Sequence, residues 1–141
     1  MNYFITTTLP YANSTPHVGH LLEFVQGDAI ARTLRGRGDV CFNVGLDEHG
    51  LKIQRAAEAA GNFPLDYVDK LARKWLDFCH LFDIKWDKFY RTSCLAHYYK
   101  VQEFWEKLES ENFITKKQYK GKYCVGCEWE GKNGEPLRLA V

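Results

Sequence analysis

Two histidines, His17 and His20, enclose Val18 and Gly19 directly after a proline-containing loop. At the start of a helix this spacing sets both imidazoles on one face. Unpaired backbone N–H groups and the helix dipole favour phosphate at such an end, and Gly19 lacks the side chain that would hold a nucleotide off the backbone. An imidazole N–H is itself a donor to phosphate oxygen. By spacing alone the pair also fits half of a metal site, a pH-responsive surface pair or coincidence. No glycine-rich loop of the Walker or dinucleotide type accompanies it. Glu23, one turn after His20, fits either a reach towards a nucleotide or a solvated helical charge.

Two further clusters carry chemistry. Asp47-Glu48-His49-Gly50 is a polar turn that puts a carboxylate directly after an apolar run, with His49 placed either to orient Asp47 or to cap its own helix. Cys124 and Cys127 have the two-residue gap of a zinc knuckle, and thiolates so spaced can share one tetrahedral ion. No Cys or His follows Cys127, so a closed zinc site needs His97, water, another chain or residues outside this sequence; an unmetallated pair fits equally well. Cys41, Cys79 and Cys94 lie in apolar or mixed surroundings and read as small packing hydrophobes. Lys52 and Arg55 read as helix surface.

These clusters need elements to hold them. Residues 3–9 form a β-branched and aromatic run stopped by Pro10, which predicts a buried strand. A turn-rich loop follows, then a helical pattern from His17 that Gly36 and Gly38 end. Residues 40–45 predict a second strand and 51–61 a second helix. Pro64 opens a third helix reaching Phe82, with Leu65, Val68, Ala72, Leu76 and Cys79 as its apolar face. A strand over 89–92, an amphipathic helix carrying Tyr98, Val101, Phe104, Trp105 and Leu108, and an exposed strand over 113–120 complete the pattern. Beyond Gly121 the periodicity disappears, and 130–134 reads as turn. Strands alternating with helices imply a parallel sheet with helices packed on it. Ligands in such sheets bind beyond the carboxyl ends of the strands, where residues 10–20 and 47–50 both fall.

The 141 residues fit one ordinary domain, and 45% hydrophobic with 15% aromatic residues suffices for a core. Net charge is +1, which is not the field of a strongly basic nucleic-acid binder, so any RNA contact is local or lies elsewhere. No run of about 18 apolar residues occurs and the start lacks a signal-peptide pattern, so no membrane association and a cytoplasmic location are expected.

The run Leu9-Pro10-Tyr11-Ala12-Asn13 through His17-Val18-Gly19-His20 resembles the first signature of class I aminoacyl-tRNA synthetases, with valine at the usual isoleucine, and is similar to its methionyl members. Gly45-Leu46-Asp47-Glu48-His49-Gly50 resembles the methionyl family's segment, with leucine at the usual threonine. Tyr119-Lys120-Gly121 through Tyr123-Cys124-Val125-Gly126-Cys127-Glu128 is similar to the entry into that family's zinc-bearing insertion. The resemblance implies an α/β fold: the first half of a Rossmann-like class I synthetase catalytic domain over 1–115, followed by the start of a connective insertion over 116–141. It implies ATP-dependent activation of methionine and transfer to tRNA, with ATP and its Mg2+ as substrate and Zn2+ as the candidate metal.

By this resemblance His17 and His20 are catalytic and bind ATP phosphates, with Gly19 giving clearance for the nucleotide; Glu23, read from its position one turn on, is the further ATP-binding candidate. Leu9, Tyr11 and Asp47 bind methionine, Asp47 pairing with the ammonium group. Leu9 also fits a plain core residue ending its strand. The family's Lys-Met-Ser-Lys-Ser signature does not occur in these residues, nor does an anticodon-binding helical domain. The expectation is an amino-terminal fragment that is inactive alone and self-associates through an incomplete sheet. The alternative is a non-catalytic module that binds ATP, methionine or a protein partner.

Overall fold

The computed structural model describes residues 1–118, 122–124 and 129–131. The chain forms two compact units, Met1–Tyr98 and Tyr99–Val141.

In the first unit three parallel strands, β1 (Asn2–Thr6), β2 (Asp39–Leu46) and β3 (Lys88–Arg91), lie side by side in the order β1-β2-β3. Thr6 stands opposite Asn43, and Leu46 opposite Arg91, so the carboxyl ends of all three strands share one edge. Helix α1 (Val18–Arg35) connects β1 to β2; α2 (Leu51–Ala59) and α3 (Pro64–Leu81) connect β2 to β3. Parallel neighbours require such crossovers. The core gathers Phe24 and Ala31 of α1, Phe42, Val44 and Leu46 of β2, Ile53 of α2, and Val68, Ala72, Trp75 and Cys79 of α3. Burial raises the Cys79 thiol to about 11, which keeps it a neutral packing group.

The expected strand, helix and parallel-sheet order is present, with β1 ending at Thr6 instead of reaching Leu9. In α1, Phe24, Gly27, Asp28 and Ala31 are buried while Val25 and Ile30 are exposed. Gly27 is drawn in because a Cβ there would stand 2.9 Å from the Phe42 ring. Asp28 enters because it accepts bonds from Arg32 Nε at 2.7 Å and Lys85 N at 3.1 Å, which satisfies the buried carboxylate. In α3 Leu65 is exposed, and Leu71 and Trp75 take the inner positions with Val68, Ala72 and Cys79. Within Gly45, a Cβ would lie 1.9 Å from the Tyr90 carbonyl oxygen, so only glycine lets β3 approach β2 there.

Helix α4 (Leu95–Ser110) buries none of its residues; Phe104 is 62% exposed and Trp105 55%. The strand expected over 113–120 does not form over 113–118, where Phe113 N bonds Leu108 O and closes the helix instead. Strands appear where periodicity is lost: β4 (Lys122–Cys124) pairs antiparallel with β5 (Trp129–Gly131), against the turn expected from residue 130. A two-stranded ribbon three residues long is too short to show an alternating pattern. Among the described residues no helix is long and apolar enough to cross a membrane.

Candidate active site

Past the end of β1 the chain does not leave the sheet edge. Asp47 N donates to Pro10 O at 2.9 Å and Ala12 N to Asp47 O at 2.8 Å, so Tyr11 and Asp47 form one more parallel bridge after a break. This places Tyr11, 36% exposed, beside the half-buried Asp47 at the carboxyl ends of β1 and β2. Leu9 is half-buried in the same segment, its Cδ2 3.0 Å from where a Cβ on Gly45 would stand. Asp47 Oδ1 accepts from His49 N at 3.3 Å, and a His49 ring nitrogen lies 3.1 Å from the Thr92 carbonyl oxygen. Lys52, expected on open surface, carries its Nζ 5.4 Å from the centre of the Tyr11 ring, where a cation is attracted by the π face.

Helix α1 begins with a capping box built from histidines. His17 is the N-cap, in extended conformation, and its Nδ1 accepts from Gly19 N at 3.1 Å. His20 at the third helical position returns the bond, its Nδ1 accepting from His17 N at 3.2 Å. The ring centres are 3.8 Å apart. Serine or threonine with glutamate or glutamine usually makes this motif; two imidazoles do it here at the same spacing. With both Nδ1 atoms accepting, the proton of each neutral ring sits on Nε2. The Gly19 amide is therefore spent inside the helix and not left open for an anion. Gly19 also has an internal reason to lack a side chain, since a Cβ would meet His17 Cε1 at 2.9 Å.

His20 packs its ring against Trp75, centre to centre 4.7 Å. Burial, then the neighbouring His17, lower its pKa below the ordinary 6.5, with Glu23 opposing them, so the neutral form is favoured. Glu23 is engaged within the protein. Both its oxygens hold Thr8, Oε1 accepting from Thr8 N at 2.6 Å and Oε2 from the Thr8 hydroxyl at 2.7 Å, which staples the loop after β1 to α1.

Residues that the sequence did not single out complete the site. Trp75 Nε1 donates to Ser14 O at 3.2 Å, and Tyr67 OH donates to Asn13 O at 2.9 Å, so α3 holds the loop joining Tyr11 to His17. The one available signal was Trp75 itself, because a buried indole N–H needs an acceptor. Of the proposed zinc pair, Cys124 ends β4 and Cys127 lies outside the described residues. His97 packs edge-on against Tyr90, ring centres 5.5 Å apart. Among the described residues no three His, Cys, Asp or Glu side chains cluster as metal ligands.

Comparison with known proteins gives this geometry a family. The methionine–tRNA ligase of Streptomyces coelicolor is 42% identical over 137 residues, covering 96% of this chain and 26% of the relative. That of Thermotoga maritima is 42% identical over 129 residues, covering 91% of this chain and 20% of the relative. The chain thus spans about a quarter or less of the length of these curated relatives. The structure of Mycobacterium tuberculosis methionyl-tRNA synthetase in complex with methionyl-adenylate superposes with a TM-score of 0.89 at 36% identity, over 95% of this chain and 26% of that one. Residues 3–130 match the model of "tRNA synthetases class I (M)", and the chain belongs to that family, the methionine branch of the class I synthetases.

Proposed function

We propose that these residues form the amino-terminal part of a methionine–tRNA ligase site that activates methionine with ATP and passes it to tRNA. The observation that carries this is the backbone bridge between Tyr11 and Asp47 beside a histidine-capped helix, both beyond the carboxyl ends of parallel strands. A relative of 0.89 TM-score binds methionyl-adenylate, the product of the first step.

In that step the methionine carboxylate attacks the α-phosphorus of ATP, the bond to the bridging oxygen breaks, and pyrophosphate leaves. The chain supplies positioning and charge. Asp47 pairs with the substrate ammonium, while Leu9 and Tyr11 wall the thioether side chain, an apolar group that suits them. His17 and His20 present Nε2–H donors to phosphate oxygens, with Gly19 giving room for the nucleotide. Because their Nδ1 atoms are fixed by backbone amides, the donor tautomer is set before ATP arrives. Glu23 contributes by holding Thr8 and the loop after β1. In the second step a ribose hydroxyl of tRNA displaces AMP.

Mg2+ enters as part of the ATP substrate. Cys124 and Cys127 have the chemistry for zinc but supply two of the four ligands that a closed site needs, so zinc here requires ligands from outside these residues. The polypeptide of 141 residues is by itself inactive, since the lysines of the second signature are not among them. It self-associates through β1, which lies at the edge of its sheet with Phe4 69% exposed.

The test is methionine-dependent exchange of labelled pyrophosphate into ATP, comparing the 141-residue polypeptide with a protein in which the rest of a methionine-type synthetase follows it. Exchange in the longer protein alone is expected. Inactivity of both, with ATP or methionine still bound, would replace this proposal with a binding module.

A further inference from the structure

Below the Asp47 turn lies a charge cluster with no role so far. Glu48 follows Asp47, and its side chain is 0% exposed. A buried carboxylate needs hydrogen-bond partners for its oxygens. Its Oε1 accepts from Arg91 Nε at 2.7 Å and its Oε2 from the Ser93 hydroxyl. Arg91 divides its guanidinium, an outer nitrogen donating to Asp69 Oδ1 on α3 at 2.6 Å. The same end of β3 grips the turn by its backbone: Glu48 N donates to the Thr92 hydroxyl at 2.9 Å and Thr92 N to Leu46 O at 3.2 Å.

Asp47 thus sits between two restraints. Residues 10–12 hold its backbone from the β1 side, and residues 91–93 hold Leu46, Glu48 and His49 around it from the β3 side. His49 is the donor to Asp47 Oδ1. Arg91 is thus linked to Asp47 through Glu48, its neighbour in the chain, and through Thr92 and His49. Apolar side chains of equal volume would serve stability as well as a buried ion pair; what directional, charge-assisted bonds add is a fixed geometry.

We propose that Arg91 and Glu48 are positioning residues that set where Asp47 meets the ammonium group of the amino acid, an inference that rests on the reading of Asp47 given above. A lysine at 91 cannot reproduce the divided guanidinium, because a single ammonium replaces two fixed N–H directions. A glutamine at 48 keeps the volume but removes the charge.

The test compares Arg91→Lys, Glu48→Gln and Asp47→Asn in the complete synthetase, with pyrophosphate exchange titrated separately in methionine and in ATP and with thermal unfolding measured alongside. Expected for Arg91→Lys and Glu48→Gln is a rise in the methionine KM of roughly tenfold to a hundredfold, the scale of a misplaced substrate contact, with the ATP KM nearly unchanged. Loss of thermal stability with both KM values unchanged, or an equal rise in both, overturns the positioning role while Asp47→Asn still raises the methionine KM. If Asp47→Asn itself leaves the methionine KM unchanged, the reading of Asp47 fails and the inference with it.

Discussion

Replacing His20 in two ways separates its structural work from its chemistry. In the structure its Nδ1 accepts from His17 N and its ring lies against Trp75. His20→Gln keeps a side-chain acceptor at the third helical position, where glutamine serves a capping box, but loses the ring and the Nε2–H. His20→Ala loses all of them. The missing cap costs about 0.5–1 kcal/mol at this exposed helix end, and the missing ring contact costs roughly 0.5–1.5 kcal/mol in both variants. The alanine variant is therefore less stable than the glutamine variant by about 0.5–1 kcal/mol, the cap alone. Hydrogen exchange reads this locally: the His17 amide should exchange about two- to fivefold faster in the alanine variant than in the glutamine variant. In the complete synthetase, pyrophosphate exchange should fall in both by about 10²–10³-fold, the scale of one lost transition-state donor. Two results refute the reasoning: activity of the glutamine variant near that of the parent, which removes the imidazole from catalysis, or equal protection of the His17 amide in both variants, which removes the cap.

The other perturbations act on single restraints. Because burial and His17 hold the His20 pKa below 6.5, the unfolded chain takes the proton first as pH falls. That contribution to stability is complete above the unfolded value and lost as pH drops through it towards the folded one, so the thermal-stability gap between parent and His20→Gln should narrow from about pH 7.5 to about pH 5.5. Gly45→Ala drives a methyl group to 1.9 Å from the Tyr90 carbonyl oxygen; it should part β2 from β3 and cost at least about 1–3 kcal/mol, read as lost soluble yield and a lower unfolding midpoint. The isolated 141-residue polypeptide should sediment as more than a monomer, and Phe4→Lys, which puts a charge on the edge strand, should shift it towards monomer.

What the sequence made legible is local. Apolar runs punctuated by Pro10, Gly36, Gly38 and Pro64 gave the alternation of strands and helices, and parallel topology then put residues 10–20 and 47–50 at one edge. The bonds that finish the site are long-range. Thr8 meets Glu23, Asn13 meets Tyr67, Ser14 meets Trp75, and Glu48 meets Arg91, with sequence separations from 15 to 61 residues. No periodicity reports such pairs. Glu23 illustrates the difficulty: a carboxylate on a half-exposed helical position reads as nucleotide contact or solvated charge, and only the course of the chain after β1 reveals Thr8 as its partner. The ribbon of β4 and β5 went unseen because three-residue strands leave no pattern.

The restraints on the two halves of the proposed site meet on one element. Tyr67 and Trp75 of α3 hold the loop that leads into the histidine pair, while Asp69 of the same helix holds Arg91 and, through it, the Asp47 turn. Val68, Leu71, Ala72 and Trp75 bury the inner face of that helix against the core. Adenylate formation needs the amino-acid carboxylate brought to the α-phosphorus in line, and an error of an ångström between the two subsites is costly. A shared support on one buried helix would fix the distance between the two proposed subsites, which gives α3 a part in the proposed reaction through Tyr67, Asp69 and Trp75.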